Sequence, residues 1–127
     1  LGAIADGALA RWFTPTFMHD TVRGGAAQVG RMKAELEALD PRAYAVCCDA
    51  VAHIDFRASN AGVRCPALVI AGTLDLATPL AMSEVLQAQI PGAELRTVPA
   101  AHLSAVEQPQ AFADLLRTFL QPQAGLN

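Results

Sequence analysis

The 127-residue sequence has little of what several protein classes require. No run of 18 apolar residues occurs, which excludes a membrane-spanning helix, and no membrane partner is expected. Basic residues are few, 9 Lys and Arg against 12 Asp and Glu, for a net charge of −3. Nucleic-acid binding needs a basic face, so no nucleic-acid partner is expected. Cysteine is limited to Cys47, Cys48 and Cys65. An odd count with an adjacent pair makes a poor disulfide framework, and no Cys-x-x-Cys or Cys/His ligand spacing is present, so no metal site is expected. Free thiols, buried or on a helix face, in a reducing cytoplasm are the expectation. No secretory leader is visible, and Leu1 rather than a methionine opens the sequence, as expected of a stretch cut from something longer.

What the sequence does have is apolar content, 53% of residues, with 26 alanines supplying much of it. Such a composition argues for close contact between elements and excludes disorder. The length suits about one domain.

The two halves differ in texture, with a soft join near Arg57 to Val63, giving segments 1–60 and 61–127. The first reads as helices only. Residues 1–13 place Ile4, Ala8 and Trp12 at helical spacing before Pro15 stops them. Residues 26–39 set Val29, Met32, Leu36 and Leu39 on one face, opened by Gly24-Gly25 and ended by Asp40-Pro41. Residues 41–52 place Tyr44, Cys47, Cys48 and Val51 on a third stripe.

The second segment alternates strand and helix. Ala67 to Ala71, between Pro66 and Gly72, is a short continuous apolar run suited to a parallel strand buried on both faces. Thr78-Pro79 predicts a capped helix start, with Met82, Val85, Leu86 and Ile90 as its buried stripe, broken by Pro91-Gly92. Glu94 to Val98 reads as a second strand. Phe112, Leu115, Leu116, Phe119 and Leu120 mark a final amphipathic helix. The class is therefore α/β. Two parallel strands are too few for a stable sheet, so further strands must come from elsewhere.

Two loops carry candidate chemistry. Asp75 lies just past the end of the first strand and His102 just past the second, and such carboxyl ends are where open α/β sheets place their sites. A carboxylate beside a histidine can accept its Nδ1–H and leave Nε2 as a base. A turn-capping acid and a loop histidine bonded to backbone are the plainer alternatives. His19 and His53, in the helical half without a matching acid, read as ordinary surface or interhelical histidines.

Acid then histidine, with a strand between, resembles the end of an α/β-hydrolase. Three stretches are similar to the 3-oxoadipate enol-lactonases of bacterial aromatic-acid breakdown. They are Leu9-Ala10-Arg11-Trp12-Phe13-Thr14-Pro15, Tyr44-Ala45-Val46-Cys47-Cys48 with the following Asp55-Phe56-Arg57, and Ala101-His102-Leu103-Ser104-Ala105-Val106-Glu107-Gln108-Pro109. The resemblance implies the C-terminal part of an α/β-hydrolase fold, a helical lid followed by the last two strand–helix units. It implies Asp75 as triad acid and His102 as triad base. It places Arg11 and Trp12 at lid positions facing substrate, where a lactone bearing a carboxylate would need a cation. A solvated arginine and a packing tryptophan remain the alternatives there. No cofactor is implied.

The departure is as informative as the match. The family's nucleophile is a serine in a Gly-x-Ser-x-Gly elbow. Only Ser59, Ser83 and Ser104 occur here, none in that motif. The expected partners are therefore a small lactone and either the N-terminal half of the same hydrolase or another copy of this chain. An esterase, a haloperoxidase-like hydrolase and a non-catalytic fragment that associates with a partner are the rival readings.

Overall fold

Four helices open the chain, and local chemistry sets their boundaries. The computed structural model describes residues 1–121, so the end of the expected second segment lies outside the described residues. Helix α1 (Gly2–Trp12) buries Ala5, Ala8 and Leu9, while Ile4 faces outward. Helix α2 (Pro15–Met18), unforeseen beyond Pro15 as a stop, is capped by Thr14, whose hydroxyl accepts from the Phe17 amide at 3.2 Å. Helix α3 (Gly25–Ala38) buries Val29 and Leu36, and Leu39 lies exposed just past its end. Helix α4 (Pro41–His53) starts on Asp40, whose carboxylate accepts from the amides of Arg42 and Ala43 at 2.7 and 3.1 Å, with Pro41 in the first turn. Small alanines let α1 lie close on α3, and Leu9 and Phe13 are the largest fully buried side chains. Phe13 stacks on Phe17 with ring centroids 5.3 Å apart.

The second half is one strand–helix–strand unit with two helices after it. Strand β1 (Leu68–Gly72) and strand β2 (Glu94–Val98) pair in parallel, from Leu68 opposite Glu94 to Gly72 opposite Val98, with helix α5 (Leu80–Gln89) as the crossover. Helix α6 (Ser104–Glu107) and helix α7 (Pro109–Leu120) follow. Among the described residues these two strands form the whole sheet.

Several expected burials do not hold. Leu68, Val69 and Ile70 are only half-buried, and β1 is closed off only at Ala71 and Gly72. On α5, Met82 and Val85 are 58% and 56% exposed, and Leu86 is exposed as well. Cys47, Cys48 and Val51 all face solvent, with Tyr44 alone of that stripe leaning on the α1–α3 core. On α7, Phe112, Leu115 and Phe119 are half-buried while Leu116 and Leu120 are exposed. On β1, α5 and α7 a two-stranded sheet offers too little surface to cover these faces, whereas α4 packs on the helical core through Tyr44 and not on the sheet. The first turn of α5 is also displaced. It begins at Leu80 after Pro79, because the Thr78 hydroxyl bonds Asp75 instead of capping the helix.

Gly72, like Gly25 against the Phe17 carbonyl, is a position where the fold tolerates no side chain, since a Cβ there would run into the carbonyl oxygens of Ala100 and Ala101. Gly30, inside α3, faces open space. Gly72→Ala is expected to cost about 2 kcal/mol or more through forced backbone movement. Gly30→Ala is expected to stabilise by roughly 0.5–1 kcal/mol. Urea midpoints of the two variants check this, and equal shifts would show that the Gly72 contact is not tight.

Candidate active site

The register of the sheet builds the site. With Gly72 opposite Val98, the two carboxyl ends finish level, and the ladder continues into the loops through Thr73 N to Val98 O at 2.9 Å and Leu74 N to Ala100 O at 3.0 Å. Asp75 and His102 leave the sheet side by side. His102 Nδ1 lies 2.9 Å from Asp75 Oδ2. The Asp75 side chain is 7% exposed and that of His102 35%.

Asp75 is held by its own turn. Its Oδ1 accepts from the amides of Ala77 and Thr78 at 2.7 and 2.9 Å, and its Oδ2 accepts from the Thr78 hydroxyl at 2.8 Å. Burial pushes its carboxyl upward. The Thr78 amide, His102, the Thr78 hydroxyl and the Ala77 amide together outweigh that push and hold Asp75 below the usual carboxylate range. An ionised carboxylate only accepts, so the shared proton sits on Nδ1 and the Nε2 lone pair is free. Thr78 Oγ1 lies 3.2 Å from the same Nδ1 and braces the ring. The arrangement can take a proton at Nε2 and stabilise the resulting imidazolium.

The other histidines have local partners. His19 Nδ1 sits 2.7 Å from Pro15 O, and His53 Nδ1 sits 2.7 Å from Asp49 O, each on an exposed stretch of its own helix. Arg11 is exposed on the last turn of α1 and forms no ion pair among the described residues. The half-buried Trp12 ring packs into the lid core with Ala8, Leu9 and Leu36, while its carbonyl accepts from the Leu103 amide at 3.0 Å. Neither residue lines the apolar groove of about 930 Å³ beside the site, whose walls include Ile54, Phe56, Arg57, Thr78, Met82 and Leu86. Arg57 on that wall is already matched by Asp55 at 2.6 Å, which draws the Asp55 carboxyl down to about 2.

Two residues of the site escaped the sequence reading. Thr78 was expected to cap a helix, although an acid three residues before a threonine is also the spacing of a side-chain-braced turn. Glu107 is buried against the histidine loop and the lid. Its one signal is a carboxylate in the mostly apolar stretch after His102. No group of three or more potential metal-ligating side chains occurs among the described residues, and none of their helices is long and apolar enough to cross a membrane.

No family model matches the sequence. The chain is 38% identical over 112 residues to 3-oxoadipate enol-lactonase 2 of Acinetobacter baylyi, covering 88% of this chain and 40% of that protein. Its structure is similar to an enol-lactonase from Burkholderia xenovorans, with a TM-score of 0.86 at 35% identity, covering 93% of this chain and 44% of that one. A hydrolase from Pseudomonas aeruginosa aligns with a TM-score of 0.83 at 39% identity, covering 94% of this chain and 43% of that one. The chain thus spans about two fifths of the length of the relatives it matches. The chain has the fold of the C-terminal part of an α/β-hydrolase, and over that part its sequence resembles the 3-oxoadipate enol-lactonases.

Proposed function

We propose that this segment supplies the acid, the base and the lid of a serine-dependent hydrolase acting on 3-oxoadipate enol-lactone. The observation that carries the reading is the 2.9 Å contact of Asp75 Oδ2 with His102 Nδ1 past the ends of adjacent parallel strands. The names of the relatives support the substrate.

The nucleophile is a serine from polypeptide outside this chain, since Ser59, Ser83 and Ser104 stand in no Gly-x-Ser-x-Gly turn. His102 Nε2 takes the Oγ proton as Oγ bonds to the lactone carbonyl carbon. Collapse breaks the ring acyl–oxygen bond, and the proton passes from Nε2 to the departing enol oxygen, which tautomerises to the ketone. Water, deprotonated by Nε2, then attacks the acyl carbon, restoring the serine and freeing 3-oxoadipate. Asp75 orients the ring and stabilises each imidazolium. Neither a metal nor an organic cofactor takes part. The family resemblance makes Arg11 the candidate partner for the lactone's carboxylate, and like Arg31, Arg42 and Arg64 it forms no ion pair among the described residues, whereas Arg57 is paired with Asp55. Trp12 follows Arg11 in the same matched stretch, and its ring, packed into the helical core, fixes the end of α1 on which Arg11 sits.

The N-terminal half of the hydrolase is the proposed partner chain. The share of each relative that this chain spans supports that reading, as does β1, which among the described residues pairs along one edge only. A cytoplasmic setting is supported by three free, exposed thiols.

In the enzyme with its nucleophile half, Asp75→Asn is expected to lower turnover about 10⁴-fold. A loss of tenfold or less assigns the acid elsewhere, and faster turnover of simple aryl esters than of the enol-lactone points to another hydrolase class. Arg11→Ala is expected to raise KM about tenfold with little change in kcat, and an unchanged KM removes Arg11 from the substrate site. The depressed Asp75 pKa has a stability consequence of definite sign. Its contribution is complete above the ordinary carboxylate pKa and is lost as pH falls through the lower folded value. Thr78→Val removes one donor, so Asp75 should titrate at higher pH in a carbon-13 NMR titration and acid unfolding should begin earlier.

A further inference from the structure

Glu107 is a buried carboxylate, 8% exposed, that the proton-transfer steps do not use. Its Oε2 accepts from the Ala101 amide at 3.1 Å and from the Thr14 amide at 3.3 Å, and its Oε1 accepts from the Thr14 hydroxyl. Ala101 immediately precedes His102. Leu103, which immediately follows it, donates its amide to Trp12 O at 3.0 Å. Both peptide neighbours of the histidine are therefore tied to the α1–α2 junction of the lid, one through Glu107 and one directly. Asp75, by contrast, is held by its own turn through Ala77 and Thr78.

The geometry points to Glu107 as a positioning residue, which fixes His102 against Asp75 by clamping the histidine loop to the lid, so that lid position and base position are coupled. A neutral or truncated side chain cannot serve all three donors at once. Glu107→Gln, with its carbonyl oxygen in the place of Oε2, keeps both amide bonds and offers an N–H to the Thr14 hydroxyl, so it loses only the acceptor for that hydroxyl's proton. Glu107→Ala loses every arm. The inference rests on reading His102 as the general base, yet its structural content can be measured without turnover.

The test is nitrogen-15 NMR on the 127-residue chain. The His102 ring resonances are followed with and without Asp75→Asn in three backgrounds: unchanged, Glu107→Ala and Glu107→Gln. Asp75→Asn should move the His102 ring signals in the unchanged background, and that movement should shrink by more than half with Glu107→Ala and largely return with Glu107→Gln. Amide exchange at Ala101 and Leu103 should rise about tenfold in Glu107→Ala while β1 and β2 stay protected, the mark of local opening. Leu103 is decisive, because Glu107 does not touch its amide. Equal movement of the His102 signals in all backgrounds overturns the proposal, as does a uniform rise in exchange across the sheet. If Glu107→Ala does not fold, Glu107→Asp keeps the charge and leaves the Thr14 cap of α2 intact but draws the carboxylate back by one methylene, so that it cannot reach Ala101 and Thr14 together. Faster Leu103 exchange then supports the coupling, and unchanged protection overturns it. In the enzyme with its nucleophile half, Glu107→Ala should lower kcat with KM held. Absence of enol-lactone turnover in the parent enzyme would defeat the substrate reading while the exchange and ring-signal results stand by themselves.

Discussion

The site depends on one constraint, the parallel register that sets Gly72 opposite Val98. Asp75 and His102 are 27 residues apart in sequence, and only a crossover that returns the chain in the same direction brings their loops to one rim. A slip of one residue would send the neighbouring side chains to the opposite faces and draw the loops out of step. Gly72 protects the register at its end, because its missing Cβ is the space through which the Ala100 and Ala101 carbonyls pass. The loop amides of Thr73 and Leu74 then extend the ladder past the strands, so the acid departs from a fixed origin.

The acid and the base are held in different ways. Asp75 sits in a self-contained turn whose two amides and one hydroxyl leave its carboxylate charged and aimed. His102 belongs to a loop whose anchors lie in the first helices of the chain. The first arrangement is local and is made wherever the turn forms. The second requires that the helical half be docked, so the position of the first helices and the geometry of His102 are coupled. No buried side-chain polar atom is left without a partner among the described residues, so this polar framework is satisfied throughout.

Much of this was legible in the sequence, for identifiable reasons. Asp40-Pro41 marks a helix start because an acceptor and a ring without an N–H suit the first turn, and the structure uses both. Ala67 to Ala71 and Glu94 to Val98 read as strands from their length and bounding breakers, and an acid and a histidine just beyond them share a rim by topology alone. The covered faces were not legible. Periodicity tells which residues of α4 and α5 share a side, but not whether the surface that would meet them lies in the same chain. Thr78 was misassigned because a threonine before a proline satisfies a helix cap and a braced turn equally well, and only the position of Asp75 decides between them. Glu107 was passed over because a carboxylate on a short helix is ordinarily solvated, and its burial follows from the lid docking at Thr14.

The open surroundings of the acid–base pair give its geometry a definite meaning. The His102 side chain is 35% exposed, and a charge pair 4 Å apart is worth about 1 kcal/mol in water against about 4 kcal/mol near a protein surface. Orientation is already fixed by Asp75, Thr78 and the Glu107 clamp, so enclosing the site would change the strength of these interactions without rearranging them. The exposed Met82 and Val85 on α5 and the apolar groove with Thr78 on its wall lie on the side where such enclosure would occur. Preorganisation and exclusion of water are thus separable in this fold. The segment supplies the first by itself through the contacts that hold Asp75 and His102, and on the proposed reading the polypeptide that brings the nucleophile supplies the second.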